Sequence, residues 1–294
     1  FQKKRNRTNA MNTINLNKKI FRNFIITFLS TFILLIWILP LIWSIFVSFK
    51  SEIEVLAYPP NIFFKPVLDN YKAAIFGSLS ILSELSDSFI IASITTILTL
   101  LLSIPAAYSL ARLNLFGKKK IGFYVLATQM IPPMGLVIPY YLILGKFGWL
   151  DTYHGMIIVY MTFSLPFAIW LMVSFMEDIP REMEEAAFLD KASRIKTLLY
   201  IIVPQVKGGI AVTTIFTFMN SWNEFLFAVQ LSGNKVRPVT IAMYNFVSVE
   251  QTLWAKLCAA ALIAMIPVII IGLIGNNHIV KGLTLGAVKG GGRK

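Results

Sequence analysis

Six long apolar runs dominate this sequence of 294 residues and constrain its fold more than any other feature. A helix needs about 20 apolar residues to cross the hydrocarbon core of a bilayer. In lipid, only helices and closed barrels satisfy every backbone polar group, and these runs are too long and too uniformly apolar for barrel strands. We therefore predict an all-α membrane protein with six transmembrane helices. The runs are residues 24–49, 89–111, 121–144, 156–175, 210–231 and 257–280.

The composition supports a membrane protein and argues against several other classes. Only 14% of the residues are charged, against roughly a quarter in soluble domains. The net charge of +13 is spread over the ends of the apolar runs and forms no basic stripe, so nucleic-acid binding is not expected. The single cysteine, Cys258, excludes a disulfide within the chain, and the isolated His154 and His278 give no metal-ligand spacing.

Lysines and arginines in the loops predict the orientation of the chain in the membrane. Of the 27, 20 fall on one side, which the positive-inside rule makes cytoplasmic. That side holds residues 1–23, the loop after the second run, a charged segment at 178–204 and the tail 281–294. The other side holds loops 50–88 and 232–256. No cleavable signal peptide is expected, because the first run is membrane-length and lacks a small-residue cleavage pattern; Met11 is an alternative start.

A charged segment between the fourth and fifth runs stands out, because residues 177–190 hold six of the 14 acidic residues. Asp178 is predicted to cap a first short helix starting near Pro180, and Ser193 to start a second, which Pro204 ends. The second helix should carry an apolar stripe. Helices at a lipid surface are usually basic, so this acidic one favours a protein partner. The stripe comprises Ile195, Leu198, Leu199 and Ile202.

The spacing of this segment resembles the EAA signature of ATP-binding-cassette importer permeases. Glu185, Ala186 and Ala187 are followed at the signature's spacing by Ile201, Val203 and Pro204. The resemblance implies a type I importer permease fold, in which a cytoplasmic two-helix loop docks into a groove on an ATPase. One position departs from the family, since Lys191 stands where glycine is usual and where glycine would allow a positive φ. The implied coupling residues are Glu184, Glu185, Ala186, Ala187, Asp190, Lys191, Ala192 and Pro204.

Other, less specific similarities resemble carbohydrate-uptake permeases of the maltose type, and among these the shorter of two paired permease subunits. They lie at Asn70 and Tyr71, at residues 139–141, at 221–226 and in the tail at 282–290. The resemblance implies a second permease subunit, two cytoplasmic ATPases that bind ATP and Mg²⁺, an extracytoplasmic solute-binding protein and a bacterial or archaeal inner membrane. Asp87, Glu84 and the segment of residues 57–86 are a candidate contact for the binding protein.

Polar residues in the fifth run suggest a route for the substrate. At helical spacing they share one face, and polar groups inside a span normally face a bundle interior or a water-filled cavity. Amides and a carboxylate would bind sugar hydroxyls, and an aromatic ring would stack on the sugar. Interhelical hydrogen bonds that hold the spans together explain the same residues equally well. The candidates are Asn220, Trp222, Asn223, Glu224 and Phe227, with Gln230 on the same face and Thr128 and Gln129 weaker candidates.

Two further classes of function remain as alternatives, although no residue pattern points to catalysis. The chain lacks a phosphate-binding loop, a paired-carboxylate site and a Ser-His-Asp set, so no catalytic residue is predicted. A carrier or channel working alone would need several intramembrane ionisable residues, and only Glu224 qualifies. A membrane scaffold needs no transport path. Within the importers, a polyol or a glycerol-phosphate-type solute is the alternative to a sugar or oligosaccharide.

Overall fold

The computed structural model describes residues 2–247 and 251–289, and the side chains of residues 22–247 and 251–275; the last five residues of the predicted tail lie outside it. All regular elements in this part of the chain are helices. In order they are α1 Gln2–Ser48, α2 Glu52–Val55, α3 Asp69–Phe76, α4 Leu82–Arg112, α5 Lys118–Ala127, α6 Pro133–Phe147, α7 Tyr153–Glu177, α8 Glu182–Leu189, α9 Arg194–Thr197, α10 Val203–Gln205, α11 Lys207–Trp222, α12 Leu226–Leu231, α13 Val239–Ala242 and α14 Trp254–Lys289.

Four stretches of helix are long and apolar enough to cross a membrane. The number of spans rises to as many as six if each of two bent helix pairs is counted as one span. The four stretches lie in α1, α4, α7 and α14. Both end helices extend beyond the apolar runs, since α1 begins at Gln2 and α14 continues to Lys289. Residues 2–23 and 281–289, predicted as parts of a cytoplasmic N-terminus and tail, are therefore helical.

The third predicted span is a broken helix. Helix α5 and a short 3₁₀ turn end at Met130, and α6 starts again at Pro133 at an angle of 92°. Consecutive prolines cause the break: Pro132 and Pro133 supply no N–H, and Ile131 takes the extended conformation that proline imposes on the residue before it. The transmembrane helix predicted over 121–144 is therefore divided into two helices at these prolines.

The fifth predicted span is interrupted twice. Its entry bends by 79° between the segment Arg194–Gln205 and α11, just after Pro204, as the sequence predicted. Helix α11 then ends at Trp222, and α12 begins at Leu226. The polar residues of the fifth run therefore do not share a single helical face.

The bundle is centred on α4, which packs against α7 and α11, while α11 also packs against α14 and α1 lies along α14. Most residues on the buried face of α4 are small or carry a hydroxyl group, which lets the neighbouring helices approach closely. Threonine and serine hydroxyls on this face can bond back to their own helix, as Thr96 does to the carbonyl of Ala92. Gly209 of α11 serves the same close approach, because a Cβ there would lie 2.4 Å from the ring of Phe175 on α7.

A carboxylate fastens two loops at the end of α7 opposite the charged segment. Asp151, with a φ of 54°, accepts hydrogen bonds of 2.8–3.2 Å from the backbone N–H groups of residues 233–236. Burial alone raises the pKa of Asp151, but these backbone hydrogen bonds outweigh it and hold the pKa below its ordinary value. Asp151 thus fixes the loop that joins α6 to α7 against the loop after α12.

Asp87 belongs to the same end of the bundle and is used internally. Its carboxylate accepts a hydrogen bond of 2.6 Å from the hydroxyl of Tyr153 and one of 2.8 Å from the N–H of Arg237. With an exposed fraction of only 9%, it offers little to an external partner. Asp87 joins α4, α7 and the loop before α13, so the sequence-based suggestion that it contacts a binding protein is not supported.

Candidate functional site

The charged segment folds as two short helices joined by a tight turn. Helix α8 carries Glu182, Glu184 and Glu185 in its first turn, where the helix dipole favours negative charge. Ser193 caps α9 by accepting a hydrogen bond from the N–H of Lys196, as predicted. The expected cap of the first helix is wrong, because α8 starts at Glu182 and Asp178 instead follows the last residue of α7.

Lys191 adopts the backbone conformation that glycine would take in the turn between α8 and α9. Its φ is 58°, in the left-handed region. The N–H of Lys191 bonds to the carbonyl of Phe188, and the N–H of Ala192 to that of Ala187, both at 3.0 Å. These two bonds form a Schellman motif, which usually ends with glycine at the left-handed position. The turn is therefore retained with lysine, and the angle between the helices needs no glycine.

A buried ion pair connects the charged segment to the end of α4. Nε of Arg112 lies 2.7 Å from Oε1 of Glu184, and both side chains are less than a tenth exposed. The hydroxyl of Tyr108 donates to Oε2 of Glu184 at 3.0 Å, and Arg112 also donates to the carbonyl of Ile179. Glu184 therefore faces into the protein and holds α8 against α4.

The apolar stripe predicted for the second helix is divided between two environments. Leu198 and Ile202 are buried in a core cluster with residues of α4 and α7, such as Ala107 and Met172. Ile195 and Leu199 are exposed, with fractions of 71% and 53%. The second half of the stripe, residues 198–202, forms a π-helical turn directly after α9.

The outer surface of the segment combines acidic, small and apolar residues. Glu185, Ala186, Asp190 and Lys191 are exposed, as is Pro204 at the following bend. Ala187 is buried and Ala192 half-buried, so these two support the turn from within. The sequence did not single out Leu189 or Tyr200, which are about four-fifths exposed and would widen a contact surface for a protein partner. The signal in the sequence that could have identified these two residues is their apolar character next to a charged helix.

A cavity of about 450 Å³ lies where α11 breaks. Four of the five residues predicted for the substrate route line it, namely Asn220, Asn223, Glu224 and Phe227. The sequence missed the contribution of α7, which supplies Tyr160, Phe163, Ser164 and Phe167, whereas the weaker candidate Gln129 does line the cavity. The cavity thus joins amides, one carboxylate and several aromatic rings.

Glu224 has a local structural role that neither sequence-based interpretation included. Its carboxylate accepts hydrogen bonds of 3.1–3.3 Å from the N–H groups of Phe227 and Ala228, at the start of α12. It therefore caps α12 and does not bridge two spans through those bonds. The backbone carbonyl of Glu224 also accepts a hydrogen bond from Thr240, which holds the break near α13.

Trp222 and Gln230 do not line this cavity. Trp222 is 4% exposed and stacks on Phe218, with ring centroids 5.6 Å apart, in a core cluster with α14. It lines a second, smaller cavity near α14, of about 290 Å³. Gln230 is exposed elsewhere on α12. The aromatic surface of the larger cavity instead comes from Phe163 and the 2%-exposed Phe227, whose centroids lie 4.9 Å apart.

Within the described residues there is no group of three or more His, Cys, Asp or Glu side chains that could hold a metal ion.

Residues 99–284 match the family described as "Binding-protein-dependent transport system inner membrane component". The chain belongs to this family. It is therefore a membrane component of a transport system, and members of the family are non-catalytic subunits.

Similar proteins extend the match over most of the chain. The trehalose/maltose transport system permease protein of Thermococcus litoralis is 35% identical over 87% of this chain and 93% of its own length. The sulfoquinovosyl glycerol transport system permease protein of Agrobacterium fabrum is 35% identical over 90% of this chain and 93% of its own length. The trehalose transport system permease protein of Mycobacterium tuberculosis is 35% identical over 86% and 93%.

The fold matches a solved importer. A chain from the crystal structure of a bacterial ABC transporter that imports the acidic polysaccharide alginate superposes with a TM-score of 0.73. The superposition covers 87% of this chain and 95% of the other, at 23% sequence identity. This likeness establishes the type I permease fold for the present chain.

Proposed function

We propose that this chain is one of two permease subunits of an ATP-driven importer for a sugar or oligosaccharide. Its similarity to permeases named for trehalose, maltose and sulfoquinovosyl glycerol supports a carbohydrate substrate, and nothing in those names favours a free polyol or glycerol phosphate. The proposed partners are a second permease subunit, two ATPases that bind ATP and Mg²⁺, and an extracytoplasmic solute-binding protein. Both termini and the segment 178–204 would face the cytoplasm.

The observation that supports this proposal most strongly is the attachment of helix α8, which contains Glu185, Ala186 and Ala187, to the helix bundle. Glu184 holds α8 to α4 through a buried ion pair, while Glu185 and Ala186, the next two residues, remain exposed. An ATPase bound at that exposed face would therefore move the end of α4 together with α8, with little independent motion of the segment. This is the arrangement that a coupling element requires.

The cavity at the break in α11 supports the substrate route. Its volume of about 450 Å³ is within the roughly 300–1,000 Å³ typical of small-molecule sites. Asn220 and Asn223 offer amide donors and acceptors for hydroxyl groups, and the lining rings offer apolar faces to the carbon skeleton. Such a lining suits an uncharged, hydroxyl-rich solute.

Replacing Glu185 with lysine tests the coupling role. We expect the Glu185→Lys transporter to lose its ATPase during purification or to lose ATP-driven uptake, because the exposed carboxylate belongs to the proposed docking face. Asp69→Lys makes the same charge change on an exposed residue of α3, away from the segment, and should leave retention of the ATPase unchanged. Full ATP-driven uptake by the Glu185→Lys complex would refute the assignment.

Uptake of labelled trehalose and maltose by the reconstituted complex tests the route and the substrate class together. Asn220→Ala and Asn223→Ala should each lower the uptake rate without lowering thermal stability, whereas Gln230→Ala, outside the cavity, serves as the control. Glu224→Gln is less informative, because it also weakens the cap of α12. Wild-type rates in both asparagine variants would argue that the sugar does not pass through this cavity.

A further inference from the structure

A narrow cavity with a charged mouth lies between the ends of α4, α5 and α7, outside both sites described above. Its volume is about 230 Å³. Leu110, Val125, Ile169 and Val173 contribute apolar walls, with Leu126 and Trp170, and the charged lining residues are Lys118, Lys119 and Glu177. The cavity is thus apolar along most of its length and predominantly basic at one end.

The helical positions explain this division. On α5 the lining extends from Lys118 to Leu126, and on α7 from Glu177 back to Ile169. The ends of each stretch are eight residue steps apart, or about 12 Å at 1.5 Å per residue. The volume lies below the roughly 300–1,000 Å³ of usual small-molecule sites, so a slim hydrocarbon chain fits better than a compact solute.

The mouth lies at the depth where lipid headgroups are expected. Helix α4 ends at Arg112 and the apolar helix α7 ends at Glu177, so the lysines stand at the boundary of two spans. Phe116 is fully exposed just before them, and Trp170 is half-exposed on α7. Tryptophan is enriched at membrane interfaces.

The charge at the mouth is available to a ligand. Nζ of Lys118 donates one hydrogen bond, of 3.1 Å, to the carbonyl of Ala111. Within residues 22–247 and 251–275, neither Lys118 nor Lys119 forms an ion pair with a carboxylate, including Glu177. Two lysines against one glutamate leave the mouth with a net positive charge.

We propose that this cavity binds an anionic phospholipid, with the phosphate at Lys118 and Lys119 and one acyl chain between α5 and α7. Charge complementarity selects the headgroup, and the apolar walls select the chain. The site would tie the proximal half of the broken third span to the lipid of the surrounding leaflet. The proposal is independent of which solute the transporter carries.

Lipid retention by the purified full complex tests the proposal. The complex is equilibrated in vesicles of phosphatidylcholine with phosphatidylglycerol, extracted in detergent, and its bound lipid quantified by mass spectrometry. We expect selective retention of phosphatidylglycerol by the wild type. The double variant Lys118→Gln, Lys119→Gln should bind it about 25-fold more weakly, from about five-fold per lysine at an anionic surface. Lys120→Gln, in the same turn but outside the cavity, should weaken binding less than the change of either cavity lysine, because its ammonium does not line the cavity.

A second variant separates the acyl chain from the charge. Nothing lies within 4 Å of a Cβ placed on Gly122, so Gly122→Phe would fill the cavity without altering any charge. Gly122→Phe should lower phosphatidylglycerol retention as strongly as the lysine changes. If the double lysine variant does not assemble, Gly122→Phe alone tests whether the cavity binds the lipid. Unchanged retention in Gly122→Phe overturns the proposal. So does equal retention of phosphatidylcholine, displacement of the lipid by inorganic phosphate, or a wild-type complex that retains no lipid because another subunit covers the cavity.

Discussion

The buried pair between Arg112 and Glu184 gives the sharpest test of how the charged segment is held. Glu184→Gln keeps the shape of the side chain but leaves the guanidinium of Arg112 without its counter-charge. Both side chains are less than a tenth exposed, so solvent screens the pair only weakly. Removing one partner of such a pair typically destabilises a protein by about 3–5 kcal/mol, because the other charge stays buried.

The loss of the pair should appear in both stability and coupling. We expect Glu184→Gln and Arg112→Met each to lower the free energy of unfolding by about 3–5 kcal/mol in a denaturant titration of the purified complex. ATP hydrolysis should become less dependent on the transported solute, because α8 no longer moves with α4. Glu185→Gln is the matched control, because the carboxylate of Glu185 is exposed. The free energy of unfolding of this variant should stay within about 0.5 kcal/mol of the wild type.

A double-mutant cycle separates the pair from its surroundings. The cycle compares Glu184→Met and Arg112→Met with the variant that combines them. With Met at both positions neither charge remains buried, so the double variant should recover most of the stability that either of these single variants loses. Additive losses in the double variant would contradict an interaction between the two side chains. Single variants as stable as the wild type would show that the segment is held by Leu198 and Ile202 alone.

Three further changes test other parts of the structure by denaturant titration. Lys191→Gly should stabilise the protein by about 0.5–1 kcal/mol with unchanged uptake, because the left-handed conformation costs lysine more than glycine; a loss of stability would contradict this view of the turn. Asp151→Asn should destabilise it, roughly by 1 kcal/mol after allowance for solvent screening. Because the pKa of Asp151 is lowered from 3.8 by folding, its contribution is present above that pH, and the difference from the variant should shrink as the pH falls through the depressed pKa. Gly209→Ala should cost about 1–3 kcal/mol by pressing on Phe175, whereas Gly208→Ala, which meets open space, should not.

Hydropathy alone predicted the all-α fold and the number of apolar segments, because lipid leaves few alternatives for a backbone. It could not predict where a span breaks. Pro132 and Pro133 were visible in the sequence, yet membrane helices often tolerate proline when neighbouring groups satisfy the freed carbonyls. The 92° bend depends on two consecutive prolines and on the extended conformation of Ile131.

The coupling segment was the most predictable part of the site, since its spacing is a local property of the chain. Its partners were less accessible to sequence reasoning. Arg112 lies 72 positions before Glu184, and only the packing of α4 against the segment shows that this glutamate faces inward while Glu185 faces outward. A three-residue signature gives no information on which of two adjacent carboxylates is buried.

The substrate route was predicted less well because helical periodicity was extended through a break. Spacing placed Asn220, Asn223 and Glu224 on one continuous face, but α11 ends at Trp222 and the chain turns before Leu226. Trp222, chosen for sugar stacking, is instead packed in the core, and the cavity takes its rings from α7 as well. No proline or glycine marks this break; the cap that Glu224 provides to α12 was its only local signal.

The two candidate sites are joined by a single helix. Helix α11 starts just after the 79° bend that follows Pro204 and ends at the break that forms the larger cavity. Its 16 residues span about 24 Å, so a rotation of its first turn is carried to Asn220 without an intervening hinge. If an ATPase moves the exposed face of α8, as proposed above, the displacement reaches the cavity along α11. Residues 223–225, where regular hydrogen bonding stops, are then where the chain can absorb that motion, which makes the break a functional requirement of the proposed mechanism.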